Sequence, residues 1–286
     1  MSRKKHRTAC PRNCYSTCSF NVWTEDNRIV KLEPEALNRA TPEGMCLKGL
    51  SYLERVYSSQ RILFPLRNQN GNLERISWPE ALKTIASKLS ACKREYGPQS
   101  ILFYASSGTS GLLNQLSTSF WDLFGGATTV YGNLCWPAGL EATKLTLGEN
   151  KHNIAWDLEN AKLIVLWGKN PAETNIQQMI PIRKAQEKGA KLVVIDPRRT
   201  ESSERADLLI QPVPGTDAIL ALAIAKIIID NKKEDQLFIK ENVLGFEEFR
   251  RSLENLDLEE ASQVCGIPIL FIEKLASWMS DSNAMS

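Results

Sequence analysis

Four cysteines near the amino terminus are the residues whose type and spacing most strongly indicate chemistry. Three residues separate Cys10 from Cys14 and Cys14 from Cys18, and 27 residues separate Cys18 from Cys46. Thiolates are the ligands of iron–sulfur clusters, and a 4Fe–4S cubane takes four of them. The close triplet and the single distant cysteine therefore predict a cubane cluster and a role in electron transfer.

Two alternatives remain open for these cysteines. Four thiolates also form structural zinc sites, which tolerate two to four residues between ligands. The cysteines could instead be structural and bind no metal. A disulfide framework is disfavoured, because the chain has an odd number of cysteines, seven, and shows no export signal. Metal binding or catalysis is the better explanation of the set.

The charge balance excludes some partners. Lysine and arginine number 35 and aspartate and glutamate 33, so no strong field is available to bind nucleic acid or an anionic membrane surface. The basic run Arg3–Arg7 is not followed by the apolar stretch of a secretory signal. The apolar segment 219–229 is about half the ~20 residues that span a bilayer. We therefore expect a cytoplasmic protein without direct membrane insertion.

The elements around the cysteines read as a small β-rich module. Phe20 to Leu32 has the alternation of a hairpin, with its turn at 25–27, and an irregular loop then returns to Cys46. Ser77-Trp78-Pro79-Glu80 next predicts a helix N-terminus. The helix that follows has an apolar face that should pack in the core, formed by Leu82, Ile85, Ala86, Leu89 and Cys92.

The remainder reads as strands alternating with helices, which is typical of a parallel α/β fold. Predicted strands lie at 101–104, 127–131, 162–166, 191–195 and 207–211. The predicted fold class is therefore α/β, with a small β-rich iron–sulfur module followed by doubly wound, Rossmann-like parallel-sheet domains. We place the cluster domain at 1–62 and the α/β region at 63–286.

Polar loops follow these strands, at the edge where open α/β sheets bind ligands. The Ser106–Gly111 turn exposes backbone N–H groups that suit a phosphate or a pterin edge. Cys135 follows the second strand and precedes a helix, whose N-terminus would lower its pKa and favour the thiolate. A buried, incidental thiol is the alternative for Cys135. An acidic residue after a strand, such as Asp196, commonly accepts from ribose or a base, and an arginine such as Arg198 pairs with phosphate.

The cysteine spacing, with Leu47-Lys48-Gly49 directly after Cys46, resembles the iron–sulfur module of the molybdopterin oxidoreductase family. This family includes formate dehydrogenases, periplasmic-type nitrate reductases, and thiosulfate and polysulfide reductases. The resemblance implies a 4Fe–4S cluster and a bis-molybdopterin guanine dinucleotide that holds molybdenum or tungsten. It further implies that Lys48 lies between the cluster and one pterin and assists electron transfer, and that Cys135 is the protein ligand to the metal.

Three later loops match the family in their order: W-G-x-N-P, D-P-R and P-G-T-D. The resemblance implies that they hold one guanine dinucleotide. No G-x-G-x-x-G sequence is present, which disfavours an ordinary NAD-binding domain. The resemblance assigns binding of the guanine dinucleotide to Gly168, Asn170, Pro171, Glu173, Asp196, Arg198, Gly215, Thr216 and Asp217.

The resemblance predicts a catalytic-subunit fragment of a molybdenum or tungsten oxidoreductase that acts on a small-molecule substrate. Family members are usually more than twice this length, so the C-terminal part of the fold is expected to lie in a longer or a separate chain. An iron–sulfur electron-transfer subunit is the implied partner. Formate is disfavoured, because Trp136 occupies the position after Cys135 where formate dehydrogenases usually have histidine. A non-catalytic iron–sulfur module and a zinc-stabilised α/β binding protein are the alternative functions.

Overall fold

The computed structural model describes residues 2–38, 41, 44–105, 112–130 and 136–281. The chain divides into two compact units, of which the first is Met1–Asn13, Thr17–Asn38 and Pro42–His152. The second is Cys14–Ser16, Arg39–Thr41 and Asn153–Ser286. The predicted domain boundary at residue 62 stays a prediction.

The first unit begins with a three-stranded antiparallel sheet in the order β1-β2-β3. Its strands are β1 (Lys4–Ala9), β2 (Ser19–Glu25) and β3 (Arg28–Pro34). Asp26 and Asn27 both have positive φ, 47° and 61°, as a two-residue hairpin turn of the primed type requires. The predicted hairpin is therefore confirmed.

Short helices, a hairpin and longer helices complete the first unit. The hairpin spans residues 66–75 and turns at Asn70-Gly71. Two short strands, at 102–103 and 128–129, pair in parallel. In chain order the elements are α1 (Leu47–Leu50), α2 (Tyr52–Val56), β4 (Leu66–Gln69), β5 (Asn72–Arg75), α3 (Trp78–Tyr96), β6 (Leu102–Phe103), α4 (Leu112–Phe124), β7 (Thr128–Thr129) and α5 (Trp136–Leu147).

Helix α3 begins as predicted but does not bury the predicted face. The Ser77 hydroxyl accepts from the Glu80 N–H at 3.3 Å, and Gly97 ends the helix with a φ of 83°. Leu82 and Ile85, which we expected in a core, are more than half exposed, and Cys92 is only half-buried. The prediction of a buried apolar face is therefore wrong within this unit.

The second unit is built on a three-stranded parallel sheet in the order β10-β9-β8. The strands are β8 (Leu163–Trp167), β9 (Lys191–Ile195) and β10 (Leu208–Ile210). The helices of this unit are α6 (Pro171–Thr174), α7 (Met179–Glu187), α8 (Asp217–Asp230), α9 (Gln236–Asn242), α10 (Phe246–Ser252), α11 (Leu258–Cys265) and α12 (Ile269–Asp281).

Helices cover both faces of this sheet. Val193 and Ile195 of β9 pack with residues of α8, α11 and α12, whereas Leu192 and Val194 pack with Ile182 of α7. Successive strand residues point to opposite faces, so a strand buried on both faces must be apolar throughout. This explains why the central strands read as continuous apolar runs. The predicted α/β class, with a small β module and doubly wound parallel sheet, is confirmed.

Helix length bears on any relation to a membrane. Within the described part of the chain, none of the helices combines the length and the apolar character needed to cross a bilayer. The apolar helix α8 has 14 residues, against the ~20 that a transmembrane helix needs.

Candidate functional site

Two of the predicted cluster ligands are neighbours in the first unit. The Cys10 N–H donates to the Cys18 carbonyl oxygen at 2.7 Å. Cys18 is buried with Phe20, and Cys10 and Met45 pack against the same apolar cluster. The fold therefore brings Cys10, Cys18 and the residue before Cys46 around one small core.

The sequence after Cys46 fixes the position of that cysteine. Cys46 directly precedes α1, and its carbonyl oxygen accepts from the Gly49 and Leu50 N–H groups at 2.9 and 3.0 Å. Gly49 is buried, and a Cβ at this position would lie 3.2 Å from the Phe20 ring. Glycine therefore lets α1 approach β2 closely, which accounts for this residue in the Cys-Leu-Lys-Gly sequence. Lys48, in the same helix, is half-buried.

Cys10 acts electrostatically on the side chain of Tyr52. Tyr52 packs near Phe20, with 6.4 Å between the ring centroids. Burial raises the pKa of Tyr52, and the negative charge of Cys10 raises it further because it opposes ionisation of the phenol. Cys10 thus lies close enough to interact with Tyr52 electrostatically.

The segment that carries Cys14 belongs to the second unit. Cys14 is half-buried, and the Ser16 hydroxyl donates to the Asn175 side-chain oxygen, with both residues buried. Asn175 follows the short helix α6. The Cys14–Ser16 segment is thereby held by the connection between β8 and α7.

The donor set fits an iron–sulfur cluster by its chemistry. Cys10, Cys14, Cys18 and Cys46 form no disulfide. Across the described ranges, no three His, Cys, Asp or Glu side chains converge as ligands of one metal ion. A cubane distributes its thiolates over several iron atoms, so its ligands need not converge on one ion. Four free cysteines, two of them joined by a backbone hydrogen bond, are therefore a suitable ligand set for a cluster by their chemistry.

The first of the three predicted dinucleotide loops follows β8. Gly168 takes the left-handed conformation with a φ of 59°, and its N–H donates to the Ile195 carbonyl oxygen of β9 at 2.8 Å. Nothing lies within 4 Å of the position that a Cβ would occupy. The backbone conformation, and not crowding, is therefore what favours glycine here.

Asn170 joins the first loop to the second. Its side-chain nitrogen donates to Glu201 at 2.8 Å and to Glu173 at 3.1 Å, and its oxygen accepts from the buried Ser202 hydroxyl at 2.6 Å. The pKa of Glu201 is lowered, first by the hydrogen bond from Asn170, because this bond favours the carboxylate. The Asn170 amide is thus a fixed part of the site.

A salt bridge adds a second link between these loops. Arg198 pairs with Glu173 at 3.6 Å, with both side chains exposed. The Asp196 carboxylate accepts from the Arg198 N–H at 2.8 Å, which closes a tight turn directly after β9. Asp196 therefore shapes the turn from which Arg198 extends.

The third loop, after β10, contacts the other two. Trp167 of β8 donates from its indole nitrogen to the Asp217 carboxylate at 2.7 Å. The Gln211 side chain donates to the Pro197 carbonyl oxygen at 3.1 Å. Gly215 has a φ of 89°, and the Thr216 hydroxyl donates to the Val213 carbonyl oxygen at 2.7 Å. The third loop is therefore folded on itself and tied to the first and second.

All nine predicted dinucleotide residues lie on these three loops or in the first turn of the helix that follows, at the carboxyl edge of one parallel sheet. The predicted set of site residues does not include Trp167, Lys169, Glu201 or Ser202, which lie at this edge as well. The only signal for them is their position in or beside the same loops. Cys135 and the Ser106–Gly111 turn lie outside the described residues.

The chain thus combines a cysteine-bearing β module with a doubly wound α/β unit whose three polar loops are linked to one another. The family described as molybdopterin oxidoreductase matches residues 61–285, and its Fe4S4 domain matches residues 3–58. The chain belongs to the molybdopterin oxidoreductase family. The predicted resemblance is thereby confirmed, together with the cofactor classes, molybdopterin with molybdenum or tungsten and a 4Fe–4S cluster.

Individual relatives agree with this assignment. YyaE of Bacillus subtilis, named as an oxidoreductase, is 33% identical over 257 residues, which are 90% of this chain and 38% of that protein. A Staphylococcus aureus protein named as a formate dehydrogenase is 34% identical over 277 residues, 96% of this chain and 28% of its own length.

A solved structure shows the same fold. Acetylene hydratase from Pelobacter acetylenicus superposes with a TM-score of 0.70 at 23% identity, over 99% of this chain and 40% of that chain. At this identity the likeness concerns the fold alone. The chain thus spans two-fifths or less of the length of each of these three proteins.

Proposed function

We propose that this chain is a catalytic-subunit fragment of a molybdenum or tungsten bis-molybdopterin oxidoreductase. In this proposal, electrons pass between a small-molecule substrate at the metal and a 4Fe–4S cluster held by the chain. The observation that carries it is the linkage of the three loops, through Asn170–Glu201, Glu173–Arg198 and Trp167–Asp217, at one edge of the sheet.

The loops offer what a guanine nucleotide requires. Asp196 and Asp217 present carboxylate oxygens, which accept hydrogen bonds from guanine N–H and ribose O–H groups. Gly168 and Gly215 take left-handed conformations, which turn the backbone at the ends of their strands. We assign one guanine dinucleotide to this edge. Pro171, the first residue of α6, and Thr216, the residue before α8, are assigned to the same dinucleotide.

The metal-binding roles follow the family assignment. We assign the cluster to Cys10, Cys14, Cys18 and Cys46, and electron transfer past it to Lys48. Cys135 is proposed as the protein ligand to molybdenum or tungsten. When bound, the cofactor supplies two-electron or oxygen-atom exchange with the substrate, while the protein binds and orients it.

The remaining partners are proposed from the family as well. An iron–sulfur subunit would exchange electrons with the cluster, and the domain that holds the second dinucleotide would come from a longer or a separate chain. Formate is disfavoured as the substrate by Trp136, the residue after Cys135, although several Staphylococcus aureus relatives are named as formate dehydrogenases.

The first test measures metal and acid-labile sulfide in the chain purified without oxygen. About four irons and four sulfides per chain are expected for a cubane cluster. Cys18→Ser should lose both, and Cys92→Ser is the matched control that should retain them. Zinc without sulfide would overturn the redox proposal in favour of a zinc-stabilised protein.

The second test measures binding of guanosine and guanosine diphosphate to the full chain by calorimetry. Asp217→Ala should weaken both ligands, because it removes a carboxylate from the edge and releases Trp167. Asp230→Ala is the control at the other end of α8. A wild-type chain that binds neither ligand would contradict the assignment of these loops.

A further inference from the structure

Lys169 is a half-buried cation at the proposed nucleotide edge. It lies between Gly168 and Asn170, in the loop directly after β8. Among the described residues its ammonium group has no hydrogen-bond or ion-pair partner. Removing a charge from water without a partner is unfavourable, so an unpaired, half-buried ammonium at a ligand edge requires an explanation.

The acidic side chains of this edge do not neutralise Lys169. Glu173 pairs with Arg198, and Glu201 accepts from Asn170. Asp217 accepts from Trp167. Burial is the cause that lowers the pKa of Lys169. A nearby carboxylate would raise this pKa, so the lowered pKa agrees with the lack of an acidic partner.

The sequence predicts Arg198 as the partner of a phosphate, and this role stays a prediction. The Arg198 guanidinium extends over the surface towards Glu173, at 3.6 Å, with both side chains exposed. An anion would have to compete with that carboxylate and with water. An anion that binds Lys169 would displace no carboxylate, because the ammonium group is unpaired. It would also displace less water, because the ammonium group is already partly buried.

We propose that the Lys169 ammonium group binds a phosphate of the guanine nucleotide held at this edge. This inference rests on the proposed function and names the residue that recognises the diphosphate. The pairing suits the site, since a cation–phosphate hydrogen bond strengthens as water is excluded. The fixed neighbours help as well. Gly168 is tied to β9 and Asn170 to the second loop, so the backbone of Lys169 is already ordered before the ligand arrives.

The test compares guanosine diphosphate with guanosine, which lacks the phosphates, on the full chain. Lys169→Gln should weaken guanosine diphosphate by roughly ten- to a hundredfold, the range expected for a lost charge-assisted hydrogen bond. It should leave guanosine unchanged. Lys169→Arg should restore most of the affinity. Lys162→Gln is the matched control, because Lys162 is an exposed lysine at the opposite end of the same strand.

The outcomes separate this inference from the function on which it rests. If the wild type binds both ligands and Lys169→Gln binds them equally well, the Lys169 assignment is overturned and the nucleotide site stands. If the wild type binds neither, both fail. Lys169→Gln removes an unpaired charge and should fold at least as stably as the wild type.

A second measurement needs no variant. Guanosine diphosphate should protect Lys169 of the wild type from an amine-reactive label, detected by mass spectrometry, and guanosine should not. Lys162 should be labelled equally in both samples. Labelling of Lys169 that is unaffected by saturating guanosine diphosphate would also refute the proposal.

Discussion

Replacement of Asn170 by alanine tests how the nucleotide edge is held together. The Asn170 amide makes three hydrogen bonds, to Glu173, Glu201 and Ser202. The Ser202 hydroxyl is fully buried and also accepts from the Ala172 N–H at 3.0 Å. Alanine at position 170 would leave the buried Ser202 hydroxyl with only the Met179 sulfur, a weak acceptor at 4.0 Å, for its proton.

The cost follows from that buried hydroxyl. An unsatisfied buried donor costs about 1–3 kcal/mol, whereas the hydrogen bonds to the two exposed carboxylates contribute little. For a unit of this size the loss corresponds to a fall in melting temperature of roughly 2–10 °C. Asn160→Ala removes an exposed asparagine of the same unit and should change the stability by less than about 0.5 kcal/mol.

The pH dependence provides a second readout. The pKa of Glu201 is lowered in the folded chain, mainly by Asn170, so this interaction stabilises the fold above the unfolded pKa and is lost as the pH falls through the folded value. In Asn170→Ala the Glu201 pKa should rise towards the ordinary value of a glutamate, measured by carboxyl NMR titration. A variant that keeps both wild-type stability and the wild-type Glu201 pKa would refute the network.

Three further predictions concern the cluster module, the buried link and the metal ligand. Cys18→Ser should abolish iron and sulfide incorporation while Cys92→Ser leaves them intact, and equal iron in both would contradict the ligand assignment. Asn175→Ala should destabilise the chain by about 1–3 kcal/mol, because the buried Ser16 hydroxyl loses its acceptor; an unchanged unfolding curve would count against this bond. Cys135→Ala in a complete enzyme should abolish turnover and leave iron unchanged, so retained activity would exclude Cys135 as the metal ligand.

The strands that carry the nucleotide loops were predictable, because doubly buried parallel strands are continuous apolar runs. Strand β9 lies at the predicted positions, and β8 and β10 differ from them by one residue at each end. Strand β1 was missed. All six of its residues are exposed and four of them are Lys, His or Arg, so it has no apolar alternation to detect. The hairpin β4–β5 was not predicted, although Asn70-Gly71, a strong turn signal, lies between its strands.

The linkage within the site could not be predicted from the order of the loops. Asn170 and Glu201 are 31 residues apart, and Trp167 and Asp217 are 50 apart. Each loop has its own sequence signature, but only the sheet order β10-β9-β8 decides which loops meet. The ion pair of Arg198 with Glu173 depends on the same geometry, because Glu173 belongs to the loop after the neighbouring strand.

Two asparagines of one short segment connect different parts of the second unit. Asn170 precedes α6 and binds the loop after β9, whereas Asn175 follows α6 and binds Ser16 of the cysteine segment. The Asn175 N–H donates to the Pro171 carbonyl oxygen at 2.9 Å, so the helix holds the two asparagines at a fixed separation. Because Ser16 and Asn175 are both buried, water does not compete for their hydrogen bond. A shift of α6 would therefore displace the Cys14–Ser16 segment, which belongs to the same unit.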